Sequence, residues 1–98
     1  MRVIREHSIW EFEWNENKAR SNFEKHGITF EEAAEALAHP HLEQESNRNG
    51  EVRVLAICPL SMRIIAVIYT LRGEKRRVIS ARAARDYEQR EYRHIYAG

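Results

Sequence analysis

Cations in the second half of the chain are the first candidates for chemistry. The stretch from Arg63 to Arg85 holds seven lysines and arginines against the single acid Glu74. Arginine suits phosphate binding because its planar fork donates to two phosphate oxygens at once. Arg82 is predicted just after the last strand, at the opening of the final helix, where unpaired backbone N–H groups also favour an anion. We therefore expect Arg82 to bind phosphate, and the alternative is a structural salt bridge at the helix start.

Four further arginines in this stretch suit the binding of a polyanion. Arg63 and Arg72 bracket the predicted central strand, and Arg76 and Arg77 open the strand that follows. The alternative for each is a solvated charge at a strand end or a hairpin tip. Charge alone does not decide between the two interpretations.

A lysine and a histidine near the middle of the first half are candidates for proton transfer. His26 suits both directions of transfer because histidine gains and loses a proton near neutral pH. Lys25 beside it would hold a phosphate or act as a base. Both residues are predicted at the end of a helix, where cations also complement the helix dipole for purely structural reasons.

Two residues of the predicted final helix complete the set of catalytic candidates. Glu88 and Tyr92 lie one turn apart and therefore share a helix face. Glu88 would orient Arg82 or serve as a base, and Tyr92 would stack on a nucleobase or donate a proton. The alternative is structural: the ring packs on the sheet and the carboxylate pairs with a nearby arginine.

The remaining groups of reactive side chains give weaker evidence for a functional site. His39-Pro-His41 with Glu43 suggests a metal, but structural zinc sites need four spaced ligands and the two histidines flank a proline in a predicted loop. No metal is therefore expected. Cys58 lies in an apolar run and is expected in the core. One cysteine permits no disulfide within the chain, and no segment has the apolar length of a bilayer span or a signal peptide, so a cytoplasmic location is expected.

The charge is divided unevenly along the 98 residues, although the net charge is only +1. Residues 1–51 carry six Lys/Arg and eleven Glu, whereas residues 52–98 carry ten Lys/Arg and four Asp/Glu. Such asymmetry suggests a partner that contacts only one side of the molecule.

The periodicity predicts a small α+β domain. Ser8 to Trp14 alternates like a half-buried strand, Asn15 caps a helix that ends at Gly27, and Thr29 opens a second helix that ends before Pro40. A loop is expected over His41–Gly50. Three strands are predicted next, at Val52–Cys58, Arg63–Leu71 and Arg76–Ser80. A last helix is predicted from Ser80 or Arg82 to Tyr96. The order is then β-α-α-β-β-β-α, with a twisted antiparallel sheet and the helices on one face.

Several of these segments resemble one family. Its opening signature is similar to Phe12-Glu-Trp-Asn-Glu-Asn-Lys18, followed by Asn22 and Lys25-His-Gly-Ile-Thr-Phe-Glu-Glu-Ala33. Its central strand and its ending are similar to Arg63–Arg72 and to Val78-Ile-Ser-Ala-Arg-Ala-Ala84 with Glu88 and Tyr92. Over about residues 10–92 the chain resembles the BrnT toxins. Asn15 stands where the family usually has aspartate, and His39-Pro-His41 replaces the more usual Asp-Pro.

The length predicts a single domain over residues 1–98, and the resemblance implies that this domain has a RelE-like fold. The resemblance also implies a ribonuclease toxin of a type II toxin–antitoxin pair, and we expect such a toxin to cleave RNA by attack of the 2′-hydroxyl with neither metal nor cofactor. A BrnA-like antitoxin would silence the toxin, and operator DNA would be bound only through their complex. Catalysis then falls to Lys25, His26, Arg82, Glu88 and Tyr92, and substrate binding to Arg63, Arg72, Arg76 and Arg77.

Two functions of other classes fit the same residues. In the first, the chain is a non-enzymatic module whose basic face binds DNA or an acidic segment of a partner. Alternatively, it would be a scaffold for antitoxin dimers in an autorepressing complex. RNA cleavage separates both from a nuclease.

Overall fold

Six strands and three helices make up the part of the chain that the computed structural model describes, residues 1–5 and 9–96. In chain order they are β1 (Arg2–Ile4), β2 (Glu11–Glu13), α1 (Glu16–His26), α2 (Phe30–Leu37), β3 (His41–Arg48), β4 (Glu51–Leu60), β5 (Arg63–Arg72), β6 (Lys75–Ala83) and α3 (Asp86–Tyr96). The predicted α+β class is confirmed.

All six strands join one sheet in the order β1-β3-β4-β5-β6-β2. Strands β3 to β6 form an antiparallel meander, as their short connections predict. Strand β2 runs parallel to β6, so the sheet is mixed rather than antiparallel throughout. This pairing brings the side chains of Trp10, Phe12 and Trp14 against the core. Ser8, the predicted start of that strand, lies outside the described residues.

The first two helices form where the local signals place them. The Asn15 side chain accepts from the Lys18 backbone N–H at 3.0 Å, and Gly27 ends α1 with a φ of 69°, which glycine adopts without strain. Thr29 and Glu32 bond each other's backbone N–H groups in a complete capping box. Both helix starts are therefore specified by residues within three positions.

The loop predicted over 41–50 is wrong, because His41–Arg48 forms β3 and pairs with β4. The turn between them is Asn49-Gly50, and both residues have positive φ angles, 52° and 76°. An Asn-Gly pair is a strong hairpin signal because these residues tolerate that conformation. The polar composition of 41–48 hid the strand.

The predicted start of the last helix is also wrong. Strand β6 continues to Ala83, which pairs with Ile65 of β5, and α3 begins only at Asp86. The segment Ser80–Ala84 is rich in alanine and favours a helix locally, but pairing with β5 overrides that preference. Arg82 consequently lies on a strand and not at a helix N-terminus.

Helices cover both faces of the sheet, which corrects the expectation of one face. Helices α1 and α2 cover the core face, which includes Ala56 on β4 and Val67 on β5. Neighbouring residues of a strand point to opposite faces, so Ile57 and Ala66 lie on the other face, and both are fully buried. Helix α3 covers them, because the two central strands are apolar on both sides.

Candidate functional site

A cleft of about 240 Å³ opens on the face of the sheet that α3 covers only in part. Strands β3 to β6 supply its floor and one side, and the start of α3 supplies the other. Its lining residues are Ser46, Arg48, Arg53, Val54, Leu55, Ile68, Arg82, Arg85, Tyr87 and Glu88. Four arginines against one glutamate make the cleft positive, which favours a polyanion.

The centre of the cleft is an ion pair between β6 and α3. Arg82 Nη1 lies 2.8 Å from Glu88 Oε1, and Nη2 lies 3.0 Å from Oε2. The Arg85 backbone N–H also donates to Oε1, at 2.8 Å, and the Glu88 side chain is fully buried. Burial alone would raise the pKa of Glu88, but the hydrogen bonds from Arg82 and Arg85 lower that pKa below its ordinary value.

The pairing leaves part of the Arg82 guanidinium available. Nη1 donates to Glu88 and to the Ala83 carbonyl, at 3.2 Å, while Nη2 uses one of its two N–H groups. Within the described residues, Nε and the second N–H of Nη2 make no hydrogen bond. These two groups form one bidentate edge, the geometry that matches a phosphate. Arg82 is 18% exposed, and the Glu88 hydrogen bonds raise its pKa further.

The remaining walls of the cleft offer contacts of a different kind. Leu55 and Ile68 pair across β4 and β5 and are half-buried, so they give an apolar floor beside the arginines. The Tyr87 side chain lines the opposite wall and is 49% exposed. An aromatic ring over an apolar floor suits the stacking of a nucleobase.

Lys25 and His26 do not enter this cleft. They line a neighbouring groove of about 220 Å³ between α1 and the outer edge of β6, together with Ser80. Ser80 and Arg82 are two residues apart on one strand and therefore share a face, about 7 Å apart. The groove thus begins beside the cleft.

The four arginines predicted to bind substrate are not gathered at one place. Arg63 and Arg72 are the first and last residues of β5, about 30 Å apart along the strand. The Arg76 guanidinium lies 3.5 Å from the centre of the Trp10 ring, on the core face. Arg77 pairs with Glu13 at the junction of β6 and β2.

Residues 14–88 match the model of the ribonuclease toxin BrnT of type II toxin–antitoxin systems. The chain belongs to the BrnT family. The matched range contains the whole cleft, together with Lys25 and His26. No curated protein matches the sequence.

Two other predicted positions of the BrnT chain, Tyr92 and Cys58, lie away from the cleft. Tyr92 lines a separate depression with Arg63 and packs against Tyr96, with ring centres 4.8 Å apart and ring planes tilted by 37°. Burial raises the pKa of Tyr92. Cys58 is fully buried in the core, which raises the pKa of its thiol and supports its structural interpretation.

The histidine pair at the start of β3, His39 and His41, is part of the fold. His41 is fully buried and its two ring nitrogens contact the His39 carbonyl, at 2.7 Å, and the Glu43 carboxylate, at 2.8 Å. No group of three or more His, Cys, Asp or Glu side chains suited to a metal occurs in the described ranges. None of the described helices is long and apolar enough to span a membrane.

Sequence reasoning missed three lining residues on one side of the cleft. Ser46 and Arg48 belong to the unpredicted strand β3, and Arg53 pairs with Ser46 across the hairpin. The Asn49-Gly50 pair carried the signal, because a two-residue turn fixes the register of both strands. Ser46, Arg48 and Arg53 are then predicted on one face.

Proposed function

We propose that this BrnT chain is a metal-independent endoribonuclease that uses Arg82 to stabilise the transition state of RNA cleavage. The 2′-hydroxyl gives up its proton to a base and its oxygen attacks the adjacent phosphate, so negative charge develops on the phosphorane-like oxygens. The bond from phosphorus to the 5′-oxygen then breaks, and an acid protonates that oxygen, which leaves a 2′,3′-cyclic phosphate and a 5′-hydroxyl. The observation that carries the proposal is the Arg82 guanidinium, oriented by a buried carboxylate and left with one bidentate edge. Preorganised charge of this kind is commonly the largest contribution to catalysis.

Glu88 acts in this scheme as a positioning residue. Both of its oxygens accept hydrogen bonds and its lowered pKa keeps it ionised, so it is poorly suited to take a proton. Among the two roles that the sequence leaves open, orientation of Arg82 is therefore favoured over that of a base.

Proton transfer falls to His26, with Lys25 beside it. Both lie in the groove that meets the sheet at Ser80, two residues from Arg82 on the same face. A phosphodiester over Ser80 would lie between the arginine and the histidine. Acid–base assistance adds on the order of 10²–10⁴-fold to the rate. Tyr87 would stack a base of the same RNA in the cleft.

Arg82→Ala tests the proposal directly. The purified protein is mixed with labelled RNA with and without a chelator, and the products are examined for 2′,3′-cyclic phosphate ends. We expect cleavage by the native protein under both conditions, and a loss on the order of 10²–10³-fold for Arg82→Ala. Arg90→Ala is the matched control, since Arg90 is exposed on α3 and lies outside the cleft.

The outcomes of this test are distinct. Cleavage that survives in a folded Arg82→Ala variant removes Arg82 from the mechanism, and cleavage that a chelator stops refutes metal independence. RNA binding without any product supports a non-enzymatic module instead.

A type II toxin is paired with an antitoxin, and here we propose a BrnA-like protein that acts in the cytoplasm. Inducible expression with and without that antitoxin tests the pairing, with growth as the measurement. We expect the chain to bind operator DNA only in complex with the antitoxin, which operator affinity with and without the toxin would show.

A further inference from the structure

The groove between α1 and β6 holds a lysine that the scheme above does not use. Its lining residues are Lys18, Ser21, Asn22, Lys25, His26, Ile79 and Ser80, and none of them is acidic. Lys18 and Lys25 are seven residues apart, which places them two turns and about 10 Å apart along one side of the helix.

The orientation of this helix side is fixed by Asn22. Its Nδ2 donates to the carbonyls of Ala81, at 2.9 Å, and of Ile28, at 3.1 Å. Its Oδ1 accepts from the Ala81 N–H at 3.1 Å. The side-chain amide thus bonds β6 as a neighbouring strand would. Lys18, Ser21 and Lys25 are held over the edge of β6 as a consequence.

Helix stability does not explain the charge at Lys18. It is the third residue of α1, where the positive end of the helix dipole disfavours a cation. The positions three and four residues away hold Trp14, Asn15, Ser21 and Asn22, and none is acidic. In the part of the chain that the structure describes, Lys18 makes no ion pair. Lys25, by contrast, lies in the last turn and complements the dipole.

We propose that Lys18, with the Ser21 hydroxyl, binds a backbone phosphate of the RNA on one side of the cleavage site. The proposal rests on the proposed function, because Lys18 lines the same groove as Ser80 and His26 and lies about 12 Å along α1 from His26. The substrate is then a single strand that extends beyond the nucleotides at the scissile bond. An exposed lysine and a hydroxyl supply charge and hydrogen bonding without reading the base.

The first experiment measures binding apart from catalysis. The probe is a 2′-O-methyl RNA of about a dozen nucleotides, which cannot be cleaved because its 2′-oxygen is blocked. The plot of log affinity against log salt concentration has a negative slope. For Lys18→Ala we expect that slope to become less steep by about 0.7, the value for one phosphate contact on a single strand. Between about 50 and 200 mM salt, the native affinity then falls about 2.5-fold further than that of the variant.

The matched control is Arg20→Ala, since Arg20 is exposed on the opposite side of α1 and does not line the groove. Its salt slope should equal the native one. Lys18→Ala should fold as well as the native protein or melt at a higher temperature, because alanine is the better helix former and a cation leaves the N-terminal turn. A loss of binding therefore cannot be ascribed to unfolding.

The second experiment uses cleavage of RNA substrates of two lengths. The shorter substrate is a dinucleotide, and the longer one extends along the groove. We expect Lys18→Ala to raise KM for the longer RNA with kcat unchanged, and to leave both constants unchanged for the dinucleotide. An unchanged salt slope together with an unchanged KM overturns the proposal. A reduced kcat on the dinucleotide also overturns it, since Lys18 would then act at the reacting phosphate.

Failure of the proposed function is visible separately. If Arg82→Ala cleaves RNA normally, the assignment of the catalytic centre fails whatever Lys18→Ala does. The uncleavable probe still reports whether the groove binds RNA.

Discussion

A buried carboxylate gives the chain a predictable dependence of stability on pH. Glu43 on β3 is 2% exposed and accepts hydrogen bonds from His41, at 2.8 Å, and from the Tyr69 hydroxyl and Arg2, both at 2.7 Å. Burial alone would raise the pKa of Glu43, but these three partners lower it from 4.5 to about 2. The ionised form is therefore stabilised by the fold.

The magnitude follows from the difference between the two pKa values. Each unit corresponds to about 1.4 kcal/mol, so the ionised Glu43 contributes about 3 kcal/mol to the free energy of unfolding. Because the pKa is lowered on folding, this contribution is complete above the unfolded-state value of 4.5. It is lost as the pH falls towards about 2, the folded-state value.

Urea unfolding of the native protein and of Glu43→Gln checks this. Between about pH 6 and about pH 2 we expect the native protein to lose about 3 kcal/mol more than the variant, and about 2 kcal/mol more if the folded baseline ends near pH 3. Other carboxyl groups titrate in both proteins and cancel in the difference. If the two stabilities fall in parallel across that range, the buried hydrogen bonds do not hold Glu43 ionised and the reasoning is refuted.

Two further substitutions test contacts that position the site. Asn22→Ala leaves three backbone groups of Ala81 and Ile28 without their partner, so we expect a loss of about 3 kcal/mol in the free energy of unfolding, measured with urea. Asn17→Ala changes an exposed residue of the same helix and should alter that free energy little. A loss below about 1 kcal/mol for Asn22→Ala would contradict the docking of α1. Glu88→Gln weakens the orientation of Arg82, so we expect it to lower kcat while the pH–rate profile keeps its shape. If one limb of that profile disappears, Glu88 is the base instead.

Local signals predicted the elements that local contacts specify. The bounds of α1 follow from Asn15 and Gly27, and the start of α2 follows from the capping box at Thr29, since each signal lies within a few residues of the contact it makes. Strand β1 and the last residues of β6 depend on partners far along the chain, Glu43 for Arg2 and Ile65 for Ala83. No sequence pattern within β1 or the end of β6 indicates these pairings.

The candidate site was predictable only in part for the same reason. The spacing of Glu88 on a helix after Arg82 allowed their pairing to be anticipated, and the structure contains it. The groove that holds His26 beside the cleft was not anticipated, because it depends on the hydrogen bonds between Asn22 and Ala81. A buried amide that bonds backbone groups leaves no periodic signature in the sequence.

The run of cations in the second half of the chain does not form one surface, and strand geometry explains why. Arg76 and Arg77 are neighbours in sequence, so their side chains point to opposite faces, one over Trp10 in the core layer and the other towards Glu13. Residues that share a face are instead two apart, as Ser80 and Arg82 are. Two lysines of the acidic first half line the groove beside Ser80, because α1 is docked against the outer edge of β6. The surface that we propose for a phosphate backbone is therefore set by sheet register and helix docking, and the count of charges along the chain does not locate it.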